Sequence, residues 1–180
     1  MKDSWKTLGR KTIYSGFLGH KVHIDEVVGP SGKKSEYFVV QLKDNAVILG
    51  LTKDNKVVME KTWRYPIGQE IWELPVGGIE AGEEPLEAAK REFEEETGGK
   101  SNDWVFLGSH FENDGFCTAK SYIFLARDVV LGKAENSDEN EKIEVELIDF
   151  DKLKKMVLSG EIEEVRTKVG VLLYDEFNNQ

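Results

Sequence analysis

Eight glutamates fall within residues 77–98, GGIEAGEEPLEAAKREFEEETG, against one lysine and one arginine. Glu92 and Glu96 lie four residues apart, so on an α-helix they sit within about 40° of each other on one face. Like charges at that spacing cost a few tenths of a kcal/mol each, and a bound cation offsets that cost. Hard divalent ions such as magnesium take oxygen ligands from one or two carboxylates and keep waters for phosphate. The competing reading is a solvated acidic helix with no ligand.

The elements that must position these groups are legible in part. Residues 11–28 alternate apolar and polar and read as strand, Gly29–Gly32 as a turn, and Tyr37–Leu42 as a second strand, which makes a hairpin. Further strands are expected over 46–51 and 57–65, the latter ended by Pro66, which cannot donate to a ladder. A helix is expected over 85–97, with Pro85 in its first turn, Leu86, Ala89 and Phe93 as its apolar stripe and Gly98-Gly99 closing it. Strands follow at 104–111, 121–126 and 143–148. A helix over 149–158 is capped by Asp149 or Asp151, and a last helix over 163–177 turns Val169, Leu172 and Leu173 inward. Strands and helices are mixed, as in an α+β or α/β sandwich.

Composition bounds the function. A chain of 180 residues with nine Phe and four Trp can bury a core. Net charge −10 argues against nucleic acid or anionic lipid as an electrostatic partner. An anionic small substrate stays open if metal ions bridge the charges. The single cysteine, Cys117, excludes an intrachain disulfide and a cysteine-rich zinc site. His20, His23 and His110 show no ligand spacing and are read as surface or strand residues. Without a recognisable signal peptide or a stretch of transmembrane length, the expected location is cytoplasmic.

The acidic stretch resembles the Nudix box, G-x5-E-x7-R-E-U-x-E-E-x-G-U, with U aliphatic. Gly77, Glu83, Arg91, Glu92, Glu95, Glu96 and Gly98 fall on its seven fixed positions. Phe93 stands at the first U as an aromatic, and Gly99 departs from the last U, for which a packing consequence is expected. The resemblance implies an α/β fold, a Nudix α/β/α sandwich with mixed sheet and an N-terminal antiparallel strand extension. It implies Glu92, Glu95, Glu96 and the carbonyl of Val76 as metal ligands for magnesium, with manganese as the alternative. Arg91 is expected as a structural partner of the glutamates, alongside Gly77, Glu83 and Gly98.

Outside the box, Trp63-Arg64-Tyr65-Pro66 followed by Glu73-Leu74-Pro75 is similar to the branch that hydrolyses ADP-ribose and related nucleoside diphosphate sugars. That similarity implies a homodimer formed through an extension over 1–43, with a hydrolase domain over 44–180. It implies Arg64 and Glu73 at the substrate, and Phe17 stacked on the base. For Arg64 the alternative is a surface ion pair, and for Phe17 ordinary core packing. Glu141, then Glu139, are the candidate catalytic bases in an acidic loop, with Glu95 beside them. Asp114, Ala119 and the strand 36–42, which carries no Arg or Lys, depart from the branch's pattern and leave base and sugar open. The expected reaction is divalent-metal-dependent hydrolysis of the diphosphate linkage to a nucleoside monophosphate and a sugar phosphate. The alternatives are a Nudix hydrolase of nucleoside triphosphates or dinucleoside polyphosphates, and a non-enzymatic module that binds a nucleotide sugar.

Overall fold

A computed structural model of the chain describes residues 5–16, 19–134 and 143–179. The elements, in chain order, are β1 (Lys6–Ser15), β2 (Lys21–Val28), β3 (Lys34–Gln41), β4 (Asn45–Gly50), β5 (Lys56–Arg64), β6 (Gln69–Glu73), β7 (Val76–Gly78), α1 (Pro85–Thr97), β8 (Gly99–Lys100), β9 (Asp103–Phe111), β10 (Lys120–Arg127), β11 (Val130–Leu131), β12 (Glu144–Asp149), α2 (Phe150–Ser159) and α3 (Val165–Asn178). The chain divides into two compact units, Met1–Asp44 with His110–Lys120, and Asn45–Ser109 with Ser121–Gln180.

In the first unit β1, β2 and β3 form an antiparallel sheet. The expected single strand over 11–28 is therefore two strands, because the segment around Gly19, at φ 80°, reverses the chain. The segment 110–120 belongs to this unit although it lies far along the chain. Val40 donates to the Phe116 carbonyl at 2.7 Å, and Thr118 donates back to the Val40 carbonyl at 3.0 Å. Of the two readings for His23 the strand holds: it lies in β2 and is buried, with Thr12 Oγ1 3.0 Å from Nδ1 and Gln41 Oε1 3.2 Å from Nε2. Buried polar rings need such partners.

The second unit carries the larger core. β4 pairs parallel with β10 and antiparallel with β7, in the order β7-β4-β10-β9, and β12-β5-β6 form an antiparallel sheet. Strand alternation sends Val47 and Leu49 of β4 into one core with α2 and α3, and Ala46 and Ile48 into another with α1. β4 is thus buried on both faces, as its unbroken apolar run requires, and the helices flank the strands as in an α/β/α sandwich. Asp149 caps α2 by accepting from the N–H groups of Asp151 and Lys152 at 3.0 and 3.2 Å.

The expectation for the last helix needs correction. It starts at Val165 rather than 163, because Glu164 takes the extended N-cap position. Its buried side is Thr167, Gly170, Val171 and Tyr174, whereas Leu172 is 47% exposed. The apolar run VGVLLY surrounds the helix axis, so periodicity alone does not choose its inner face. The short strands β6, β7, β8 and β11 were not anticipated either. Their two to five residues show too little alternation to read.

Candidate active site

The acidic box folds as a loop followed by a helix. Pro85 begins α1 at a position where its missing N–H is harmless. Gly98 ends it in the left-handed conformation at φ 67°, its N–H donating to the Glu94 carbonyl at 2.9 Å. A Cβ there would also stand 2.7 Å from the Gly132 backbone, so both torsion and space demand glycine. Phe93, fully buried, fills the place where an aliphatic side chain on Gly99 would lie. A Cβ on Gly99 would meet the Phe93 ring at 2.4 Å, and one on Gly50 would meet it at 2.5 Å. The aromatic at one position and the missing side chain at the other are a single packing solution.

Arg91 ties this helix to the loop before it. Its Nε and Nη2 donate to the two carboxylate oxygens of Glu83, both at 3.0 Å, and Nη2 also donates to the Gly78 carbonyl at 3.1 Å. Nη1 donates to Glu92 at 2.7 Å and to Glu95 at 3.4 Å. This planar fork suits a carboxylate pair as lysine would not. Glu83 first, then Glu92, hold the guanidinium further above its already high pKa. The Glu92 carboxyl is raised by burial, only partly offset by Arg91, with Glu95 and Glu83 adding like charge.

Beside the helix lies a cavity of about 220 Å³ with mostly polar walls. α1 contributes Glu92 and Glu96, β7 contributes Val76, Gly77 and Gly78, β6 contributes Glu73, and β5 contributes Glu60, Thr62 and Arg64. The period of two in β5 places 60, 62 and 64 on one face. Register adds Glu73 directly opposite Glu60. Gly77 is required by space: its Cβ would fall 1.9 Å from Glu92 Cδ. Glu73 is fully buried, with one oxygen 2.5 Å from Arg64 Nη2 and the other 3.4 Å from Arg166 Nη2. Burial raises its carboxyl, against the two arginines that lower it.

A family model described as NUDIX domain matches residues 41–169. The chain belongs to the Nudix family. It is 31% identical over 167 residues to the ADP-ribose pyrophosphatase of Bacillus subtilis (strain 168), covering 92% of this chain and 90% of that protein. It is 30% identical over 169 residues to the methanol dehydrogenase activator of Bacillus methanolicus, covering 92% and 90%. A solved ADP compounds hydrolase has the same fold, with TM-score 0.85 over 97% of this chain and 94% of its own, at 20% identity.

Nudix hydrolases use divalent metal ions, and the cavity offers the donors such an ion takes. Glu92, Glu96 and Glu60 carry carboxylate oxygens, and Val76 lines the same cavity. Gly77, lacking a side chain, lets the Glu92 carboxylate lie close against β7. Among the described residues no three acidic, histidine or cysteine side chains close on one point as a formed cluster. The donors instead ring the cavity. Glu95 stands outside this ring, half exposed and turned toward Arg91.

Of the residues expected from sequence, Val76, Gly77, Glu92, Glu96, Arg64 and Glu73 come together at this one Nudix cavity. Glu83 braces it from the loop, Arg91 from the helix, and Gly98 from the helix end. Phe17, Glu139 and Glu141 lie outside the described residues. Sequence reasoning missed Glu60, Thr62, Glu164 and Arg166. Glu60 did carry a signal, an acidic residue ending the apolar run Val57-Val58-Met59 and in phase with Arg64. Cys117 is partly buried, and its Sγ accepts from the Ala119 N–H at 3.4 Å. Among the described residues no helix is long and apolar enough to cross a membrane.

Proposed function

We propose that this Nudix chain hydrolyses the diphosphate linkage of ADP-ribose or another nucleoside diphosphate sugar, with magnesium as its working ion and manganese as a substitute. The products are a nucleoside monophosphate and a sugar phosphate. One observation carries the reading: the box carboxylates Glu92 and Glu96 share a cavity with an arginine, Arg64, on a neighbouring strand. An acidic wall alone would repel a diphosphate. Likeness to the ADP-ribose pyrophosphatase of Bacillus subtilis supports the choice of substrate class.

Glu92 and Glu96, with the Val76 carbonyl, are the groups that would hold the metal, and Glu95 would join them by leaving its 3.4 Å contact with Arg91. Bound there, the ion would polarise phosphoryl oxygens and neutralise the diphosphate. Arg64 binds and orients the diphosphate from the opposite wall. Its Nε is buried and has no partner among the described residues, which leaves a donor for a phosphoryl oxygen. Arg91 keeps Glu92 and the loop in place and does not touch substrate. Glu141, with Glu139 second, is the base for the attacking water, and Phe17 stacks on the base of the nucleotide. The segment 1–43 pairs two copies into a homodimer around the domain 44–180, and the protein works in the cytoplasm without nucleic-acid or membrane partners.

The test is product analysis on a panel of nucleotide sugars, nucleoside triphosphates and dinucleoside polyphosphates, with and without magnesium. AMP and ribose 5-phosphate from ADP-ribose, formed only with metal and abolished in Glu96→Gln, is the expected result. Preferential cleavage of triphosphates, or binding of ADP-ribose without turnover, would overturn it.

A further inference from the structure

Arg64 is held in an unusual way for a side chain at a cavity wall. Its side chain is 37% exposed, and a free arginine there would sample many rotamers. Its Nη2 is fixed on Glu73, which is itself fully buried. The second oxygen of Glu73 belongs to Arg166. Arg166 is anchored in turn: its Nε donates to Glu164 Oε1 at 2.8 Å, and its backbone N–H to the same oxygen at 3.0 Å. The other oxygen of Glu164 accepts from the Thr167 N–H and hydroxyl at 2.7 and 2.9 Å. Thr167 Oγ1 accepts from the N–H of Leu74, the residue after Glu73, at 2.9 Å.

The contacts therefore close a circuit, from Glu73 through Arg166, Glu164 and Thr167 back to the backbone beside Glu73. Two arginines and two glutamates alternate along it and cancel in charge, which is what allows such groups to be buried together. Each oxygen of fully buried Glu73 is engaged by an arginine, which favours a role through Arg64 over direct contact with a substrate hydroxyl. It acts through Arg64.

We propose that Arg166 is a positioning residue: through Glu73 it fixes the Arg64 guanidinium with its remaining N–H groups facing the diphosphate. This rests on the reading that Arg64 binds the diphosphate. A misplaced Arg64 weakens substrate and transition state alike, so the effect falls on KM more than on kcat.

The experiment measures kcat and KM for ADP-ribose with magnesium in the parent, Arg166→Met, Arg64→Met and the double variant, with melting temperatures beside them. Arg166→Met is expected to raise KM by about 10-fold with kcat little changed. In the Arg64→Met background the same substitution should add nothing further to KM, because the group it positions is gone. A purely structural Arg166 would lower the melting temperature and leave KM at the parent value, and that result overturns the proposal. If Arg166→Met does not fold, Arg166→Lys replaces it: one ammonium cannot bridge Glu164 and Glu73 as the guanidinium does. A parent-like KM in that variant is equally fatal. If Arg64→Met itself leaves KM unchanged, the diphosphate reading of Arg64 fails, and the proposal with it. A raised KM in Arg64→Met alone sinks only the role of Arg166.

Discussion

Gly77→Ala places one methyl group where the Glu92 side chain now lies. The new carbon would stand 1.9 Å from Glu92 Cδ, 2.1 Å from Cγ and 2.4 Å from Oε2. Carbon atoms in contact rest about 3.5–4.0 Å apart, so one group must move by well over 1 Å. β7 is poorly placed to yield, since Gly77 is in register with fully buried Ala46 on β4. Glu92 must therefore rotate, which breaks its 2.7 Å bond from Arg91. Loss of a charge-assisted hydrogen bond costs about 1.5–3 kcal/mol, and overpacking about 1–3 kcal/mol. The sum, about 2.5–6 kcal/mol, lowers the melting temperature by roughly 5–24 °C for a chain of this size. Because Glu92 also leaves the cavity, kcat/KM should fall about 100-fold, the usual penalty for a 1 Å misplacement. Thermal melting in chelator and steady-state kinetics with metal read the two effects separately. Gly115→Ala is the control, since its Cβ would meet only Asn113 Oδ1 at an ordinary 3.4 Å. A Gly77→Ala protein that melts and turns over like the parent would refute the claim that Glu92 occupies this space.

Two further outcomes follow from the same contacts. Gly99→Val should cost about 1–3 kcal/mol by pressing on Phe93, while the double variant with Phe93→Leu recovers much of it, a coupling of about 0.5–3 kcal/mol in urea denaturation. Strict additivity would contradict the shared packing. Burial holds the carboxyls of Glu92 and Glu73 above their ordinary value of 4.5 in the folded protein. Their contribution to stability is thus complete below the unfolded value and is lost as pH rises through the folded one. Metal-free protein should lose melting temperature over that window, and Glu92→Gln should flatten the decline; an unaltered profile would remove Glu92 from the explanation.

The helix over Pro85–Thr97 was readable because everything that makes it is local. Proline at its first turn, an apolar stripe ending in Phe93 and a glycine at its end all act within one short segment. The Nudix spacing is local for the same reason, since positions four apart on a helix share a face whatever the rest of the chain does. The Asp149 cap was equally local. Leu172 was misjudged because an apolar run without polar interruption has no preferred side until another element packs against it.

What the sequence by itself determined is the box helix and the spacing of the glutamates along it. The tertiary structure decided that Glu60 joins the cavity from β5, and that Glu73 is buried between Arg64 and Arg166. Glu73 and Arg166 are 93 residues apart. Neither charge carries any local mark of the other, because electrostatic pairing depends on distance in space and on the dielectric that burial creates, and both exist only once the strands and the last helix have assembled.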